Sequence, residues 1–444
     1  MVTMTLKNSF KTFQTQIMID TAKSHTAQNI IQKISATAEK VGYINNDILT
    51  RALIYIEDNG IPTNKHEDYK YCNVDAILKK EFKSIEQKFT LVDNVDTYKL
   101  QDTITLVVVN GNYSESLSDK IVLNGLHLSS FSNLNSDFKN LVASIANVKS
   151  DAFIALNTAF SGNGIFLKIE KNSVIQIPIH ILYISNSDSE VFVNPRNVIQ
   201  LEENAEATII EQQVIVGKGK VFTNYLSEKF VGQNAKLISH TLQQEGEKGF
   251  SINTHQVKVE RDGHYDNTTI TLSGQLVRNN HNVILAGQNS QAHLNGLFLS
   301  GGNQLVDNHT LMDHQVPHCE SNELYKGIVA EKSTGVFNGK IFVRKDAQKT
   351  NAYQSSKNIL LSDDATVNTK PQLEIYADDV KCSHGTSTGK IDENAMFYLN
   401  ARGIGQESAK KLLLNSFAQE VINKINVERL KEKIITLLET ETLF

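Results

Sequence analysis

The chain has 444 residues, with 44 Lys and Arg against 49 Asp and Glu, three cysteines, five prolines and no tryptophan. At about 150 residues per domain the length allows two to three domains. The net charge of −5 excludes a broad electrostatic nucleic-acid binder, whose affinity rests on Lys and Arg against phosphates. The composition excludes collagen-like and largely disordered chains, no run approaches the roughly 18 apolar residues of a membrane span, and three cysteines cannot hold a four-cysteine iron–sulfur cluster alone.

The first twenty residues lack a continuous apolar run before a cleavage site. Cys72, Cys319 and Cys382 lie far apart without a CxxC pair. Both features predict a cytoplasmic protein without a disulfide framework.

Residues 1 to about 60 read as helical. Ile30, Ile31, Ile34, Ala38 and Val41 approximate a 3.6-residue stripe, and Asp47 stands as a cap before Ile48, Leu49, Leu53 and Ile54. From about 100 to 375, short runs rich in Val, Ile, Thr and Phe recur between Gly, Asn and Asp. Thr103–Val109, Val174–Ile184, Ala207–Val216 and Ile252–Val259 are examples, and together they predict a large all-β domain. No short repeat is visible, so a β-solenoid and a sandwich both fit. After about 390 the helical period returns. Asp392 and Glu393 open one segment that closes at Gly403; others follow through Ala409–Ile422 and from Val427. The expected domains are therefore an N-terminal helical region (1–100), a β core (101–375) and a C-terminal helical region (376–444).

Histidines are clumped, nine of thirteen falling between His240 and His384. The densest stretch carries His309, His314, His318 and Cys319, but its spacing is no established zinc pattern, and strand parity splits His309 from His314. A stand-alone zinc protein using these four is one alternative reading. Gly385-x-x-x-Gly389-Lys390 lacks one residue between its glycines and has Ile391 where Ser or Thr would hold magnesium, so no nucleotide site is expected in this chain. Cys382 and His384, two apart on one strand, would share a face and could hold a soft metal ion. Asp363-Asp364 and Asp378-Asp379 suit turns better than a glycan-hydrolysing carboxylate pair; a β-helix glycan enzyme is the second alternative.

DNHTLMDHQVPHCESNELYKGIV (307–329), GVFNGKIFVRKDAQKTNAYQ (335–354), the block from Asn358 to Asp392 with CSHG at 382–385, and FYLNARGI (397–404) resemble the SufB/SufD family of the SUF iron–sulfur assembly system. KHEDYKY (65–71) and NPRNVIQLEENAEATIIEQ (194–212) extend the resemblance over about 65–425. It implies a right-handed parallel β-helix flanked by N- and C-terminal α-helical domains. It implies a cytoplasmic, non-enzymatic scaffold subunit that pairs with SufB and binds the ATPase SufC, sharing a transient iron–sulfur cluster with SufB. His384 is then the metal and cluster ligand implied by the CSHG block, with Cys382 second. Tyr398 and Arg402 are implied at the ATPase contact. SufB-type chains carry a cysteine at the position of Ser356, which places this chain on the SufD side. An exposed solenoid edge would also let two copies of this chain pair when SufB is absent.

Overall fold

The computed structural model describes residues 44–74, 77, 82–84, 94–121, 123–134, 136–160 and 164–440. The apolar stripe from Ile30 to Val41 lies outside the described residues. Two long sheets dominate, an 11-stranded sheet A and a 10-stranded sheet B. From Arg196–Leu201 onward, consecutive strands fall alternately into sheet A and sheet B, and every neighbouring pair is parallel. The result is a β-solenoid of about eight turns with a few flanking helices.

The repeat that the sequence conceals becomes plain in the register. Lys236 pairs with His264, His264 with Gln291, Gln291 with Glu320, Glu320 with Asn351 and Asn351 with Lys381, so a coil takes 27–31 residues. One corner of each coil needs a left-handed residue. Asn172, Asn204, Asn234, Asp262, Asn289, His318 and Lys349 occupy it with φ between 53° and 63°. Asn, Asp and His are the side chains that tolerate this region best after glycine. Side-chain amides stack there: Asn204 donates to Asn172 at 2.7 Å and Asn234 to Asn204 at 2.8 Å. His318 is thus a corner residue of this series.

Inward-facing Ile, Val, Leu and Tyr from both sheets fill the solenoid. Its outer faces are covered unequally. Helices α1 (Asn46–Asn59) and α2 (Ala152–Phe160) pack with Phe192, Phe222, Phe250 and Ile252 on sheet A. This cover explains why residues 249–254 are buried on both faces, whereas Lys258 and Glu260, beyond the cover, stay part-exposed with Val257 and Val259 turned into the core. The cap of α1 is Asn45, whose side chain accepts from the Asp47 amide, rather than Asp47 itself.

Two buried ion pairs fix this cover. Glu228 bonds Arg196 at 2.7 Å and accepts from the amides of Ala143, Ile145 and Ala146. Arg278 bonds Asp307 and the Asp68 carbonyl, each at 2.7 Å, and stacks on Tyr69 at 4.0 Å. The KHEDYKY segment is held by that clamp.

At the other end, α3 (Glu393–Ala401), α4 (Gln406–Ile422) and α5 (Glu428–Thr440) follow the last strand. Asp392 caps α3 by accepting from the Asn394 and Ala395 amides, and Gly403 after it has φ 85°. Leu414, Ala418, Val421, Leu430, Ile434 and Leu438 pack on Ile210, Leu242, Ile270, Leu297 and Ile328 of sheet B. The strand Lys381–Gly389 belongs to sheet B. The solenoid therefore runs past residue 375 into the stretch expected to be helical, and helix starts only at Glu393.

Removing one partner of a buried ion pair strands the other without compensation. Glu228→Ala should lower stability by about 3–5 kcal/mol and loosen the 136–160 segment, read as a lower denaturant midpoint and early proteolysis there. An unchanged midpoint would show that the pair does not hold the cover.

Candidate functional site

Sheet A ends at Thr366–Ile375 and sheet B at Lys381–Gly389. Among the described residues no strand pairs with the far side of either, so each presents an open row of backbone amides and carbonyls. Burial collapses at this end. The preceding strand Asn351–Leu360 still buries alternate residues, whereas His384 to Gly389 are exposed.

Register places the side chains. Cys382 lies beside Ala352, His384 beside Gln354, Thr386 beside Ser356 and Thr388 beside Asn358. The four partners are the buried, inward residues of their strand. Cys382 and His384 therefore share one face, as their spacing predicts, and it is the face that in every earlier coil points into the core. The Thr369 and Thr386 hydroxyls meet across the gap between the sheets at 3.3 Å. Cys382 is half-buried against the apolar core, and burial pushes its thiol up, offset in part by the Ala352 backbone. A raised thiol stays protonated near neutrality and is a weak ligand by itself. His384 is exposed at the rim.

Behind His384 the same row continues inward through Gln354 to Glu323. Gln354 Nε2 donates to Glu323 Oε1 at 3.0 Å. Burial pushes the Glu323 carboxyl up to about 7, against smaller lowering by Thr310 and Gln354. Sequence reading misses this pair, because only the coil register puts residues 323, 354 and 384 in line. Ser356 is buried one row further along, accepting from Asn358 Nδ2 at 3.3 Å.

The four residues of the zinc alternative are not brought together. His309 sits on the outer face of sheet A with Asp307 and Arg278. His314 is buried inside, its ring nitrogen 2.9 Å from the Ser321 hydroxyl and its pKa lowered by burial to about 4. His318 is a corner residue, and the buried Cys319 thiol donates to backbone carbonyls of Gly287 and Val316. The paired aspartates lie at corners, Asp363 bonded to Lys390 and Asp379 to Lys349. Helix α3 has no buried residue. It presents Phe397 and Tyr398 at 74% and 57% exposure, with Arg402 4.9 Å over the Tyr398 ring.

The family model described as "SUF system FeS cluster assembly, SufBD core domain" matches residues 183–417, and "SufBD protein N-terminal region" matches residues 27–181. The chain belongs to the SufBD family. It is 31% identical to the Escherichia coli iron–sulfur cluster assembly protein SufD over 85% of this chain and 88% of that one. It is 28% identical to the Synechocystis SufBD family protein slr0076, over 86% and 88%. The chloroplastic protein ABCI7 of Arabidopsis thaliana is 30% identical, over 84% and 81%. The family is one of iron–sulfur cluster assembly, and its core model spans both open edge strands and the whole CSHG block. No helix among the described residues is long and apolar enough to cross a membrane.

Glu323 gives the site a pH signature. Its folded pKa of about 7 exceeds the ordinary 4.5, so its stabilising contribution is complete below about 4.5 and is lost as pH rises through 7. Glu323→Gln keeps the shape and does not ionise. It should raise the melting temperature over wild type at pH 8 and change it little at pH 5; an equal shift at both would contradict a titrating carboxyl.

Proposed function

We propose that the chain is the SufD-type, non-ATPase subunit of a cytoplasmic SUF scaffold. It pairs through its open solenoid end with SufB and carries the ATPase SufC on its C-terminal helices. The observation that carries this reading is the position of His384: on the core-facing parity of a strand that has no coil beyond it among the described residues. A SufB solenoid added to the free edges would continue both sheets and cover the row from His384 to Thr388. His384 would then face the partner's own end residues in a site that neither chain makes alone.

The chemistry suits a transient cargo. A neutral imidazole binds iron and exchanges more readily than a thiolate, which fits a cluster that must be handed on. Cys382 is the second ligand candidate, its raised thiol awaiting a metal to lower it. Helix α3 supports the SufC assignment. Its apolar ring pair at Phe397 and Tyr398, beside Arg402, is of the kind enriched at protein interfaces. No phosphate loop occurs in the sequence, which agrees with ATP hydrolysis in SufC.

Co-expression with SufB and SufC partners tests the reading. His384→Ala should leave the ternary complex intact and lower its iron and sulfide content several-fold, and Phe397→Ala/Tyr398→Ala should release SufC alone. Full cluster content in the His384→Ala complex would remove His384 from the site. Failure of the wild-type chain to bind SufB would overturn the assignment.

A further inference from the structure

Coil register builds a second cluster of metal-binding side chains, on the outer face of sheet B. His264 and Asp266 lie two apart on the strand His264–Ser273 and so share a face. Asp266 pairs with His293 on the next strand, Gln291–Ser300. Asp266 bridges the two rings: Oδ2 is 2.7 Å from His264 Nε2, and Oδ1 is 2.8 Å from His293 Nδ1. The three ligand atoms all lie within 4.8 Å of one another, and the side chains are 25–31% exposed. Among the described residues this is the one group of three with such geometry.

The surroundings are those of a metal site. Each ring nitrogen that turns away from Asp266 faces an oxygen. His264 Nδ1 is 3.2 Å from Gln291 Oε1, and His293 Nε2 is 3.8 Å from Glu320 Oε1. His264 thus has the outer acceptor by which metal-ligating histidines fix the tautomer, and His293 has a carboxylate just beyond hydrogen-bond reach on the same side. The carboxylates of Asp266 and Glu320 face the ammonium of Lys236, which pairs in register with His264.

We propose that His264, Asp266 and His293 bind one divalent first-row transition ion of the zinc or ferrous class. Two imidazoles and one carboxylate with open positions toward solvent are the donor set such ions take. At metal–ligand lengths of about 2.1 Å, tetrahedral ligand atoms sit roughly 3.4 Å apart, so Asp266 must part a little from each ring while the set of ligand atoms, within 4.8 Å of one another, draws in around the ion. Each imidazole proton now facing Asp266 moves to the outward nitrogen, toward Gln291 or Glu320, and the freed lone pair takes the ion. The three residues stand on paired strands, which hold a site more firmly than loops do. Along the solenoid axis His293 lies three strands from the terminal strand, about 14 Å at the usual spacing. The site is thus separate from His384, and it does not depend on the assembly role proposed above.

Cobalt(II) titration of the full chain is the test, with the His384→Ala/Cys382→Ser variant as background to silence the open end. The chain should take up one equivalent with visible d–d absorption, and zinc should displace it. Adding His264→Ala/His293→Ala should abolish that equivalent, and so should the milder Asp266→Asn, with the melting temperature of the metal-free protein retained. No uptake by the background chain, or uptake unchanged by these substitutions, would overturn the site.

Discussion

In-register parallel stacking of coils is the constraint from which the rest of the structure follows. Each strand spends its amides and carbonyls on the coil before and the coil after, so the ladder is satisfied everywhere except at an end. Inward residues from Lys236–Gln244 to Asn351–Leu360 are sealed by their neighbours. The same parity at Lys381–Gly389 is open. One geometric rule thus produces both the core and the uncovered row of half-buried Cys382 and exposed His384, Thr386 and Thr388.

The flanking helices make that asymmetry stable. At the N-terminal side the outer face of sheet A is locked by Arg196–Glu228 and by the Arg278–Asp307 clamp on Tyr69. Apolar faces of α4 and α5 cover sheet B, with Lys326 bonding both the Phe417 carbonyl and Glu420. Helix α3 joins neither cover and leaves its aromatic pair outside. The two least buried features of the C-terminal half, the open strands and α3, are adjacent in the chain, separated by Lys390–Asp392.

Much of this was legible in the sequence. β-Branched runs marked strands such as Val174–Ser185 and Glu206–Ile215, and Asp392 and Gly403 marked both ends of α3. The shared face of Cys382 and His384 followed from spacing alone. The coil repeat was not legible, because its corners are occupied variously by Asn, Asp, His and Lys, which share a backbone conformation and little else. For the same reason His318 read as a possible ligand when it is a corner, and Glu323 and Asp266 drew no attention. The partners that complete each cluster, Gln354 for Glu323 and His293 for Asp266, are 27–31 residues away, a separation invisible until the register is known.

In the proposed assembly the open strands are an unfinished ladder that a partner completes. Backbone hydrogen–deuterium exchange tests it directly, comparing the chain alone with the chain bound to SufB. Fast exchange is expected at Thr366–Ile375 and Lys381–Gly389 in the free chain and protection of both strands in the complex, with interior coils unchanged. A complex in which those two strands exchange as fast as in the free chain would contradict it.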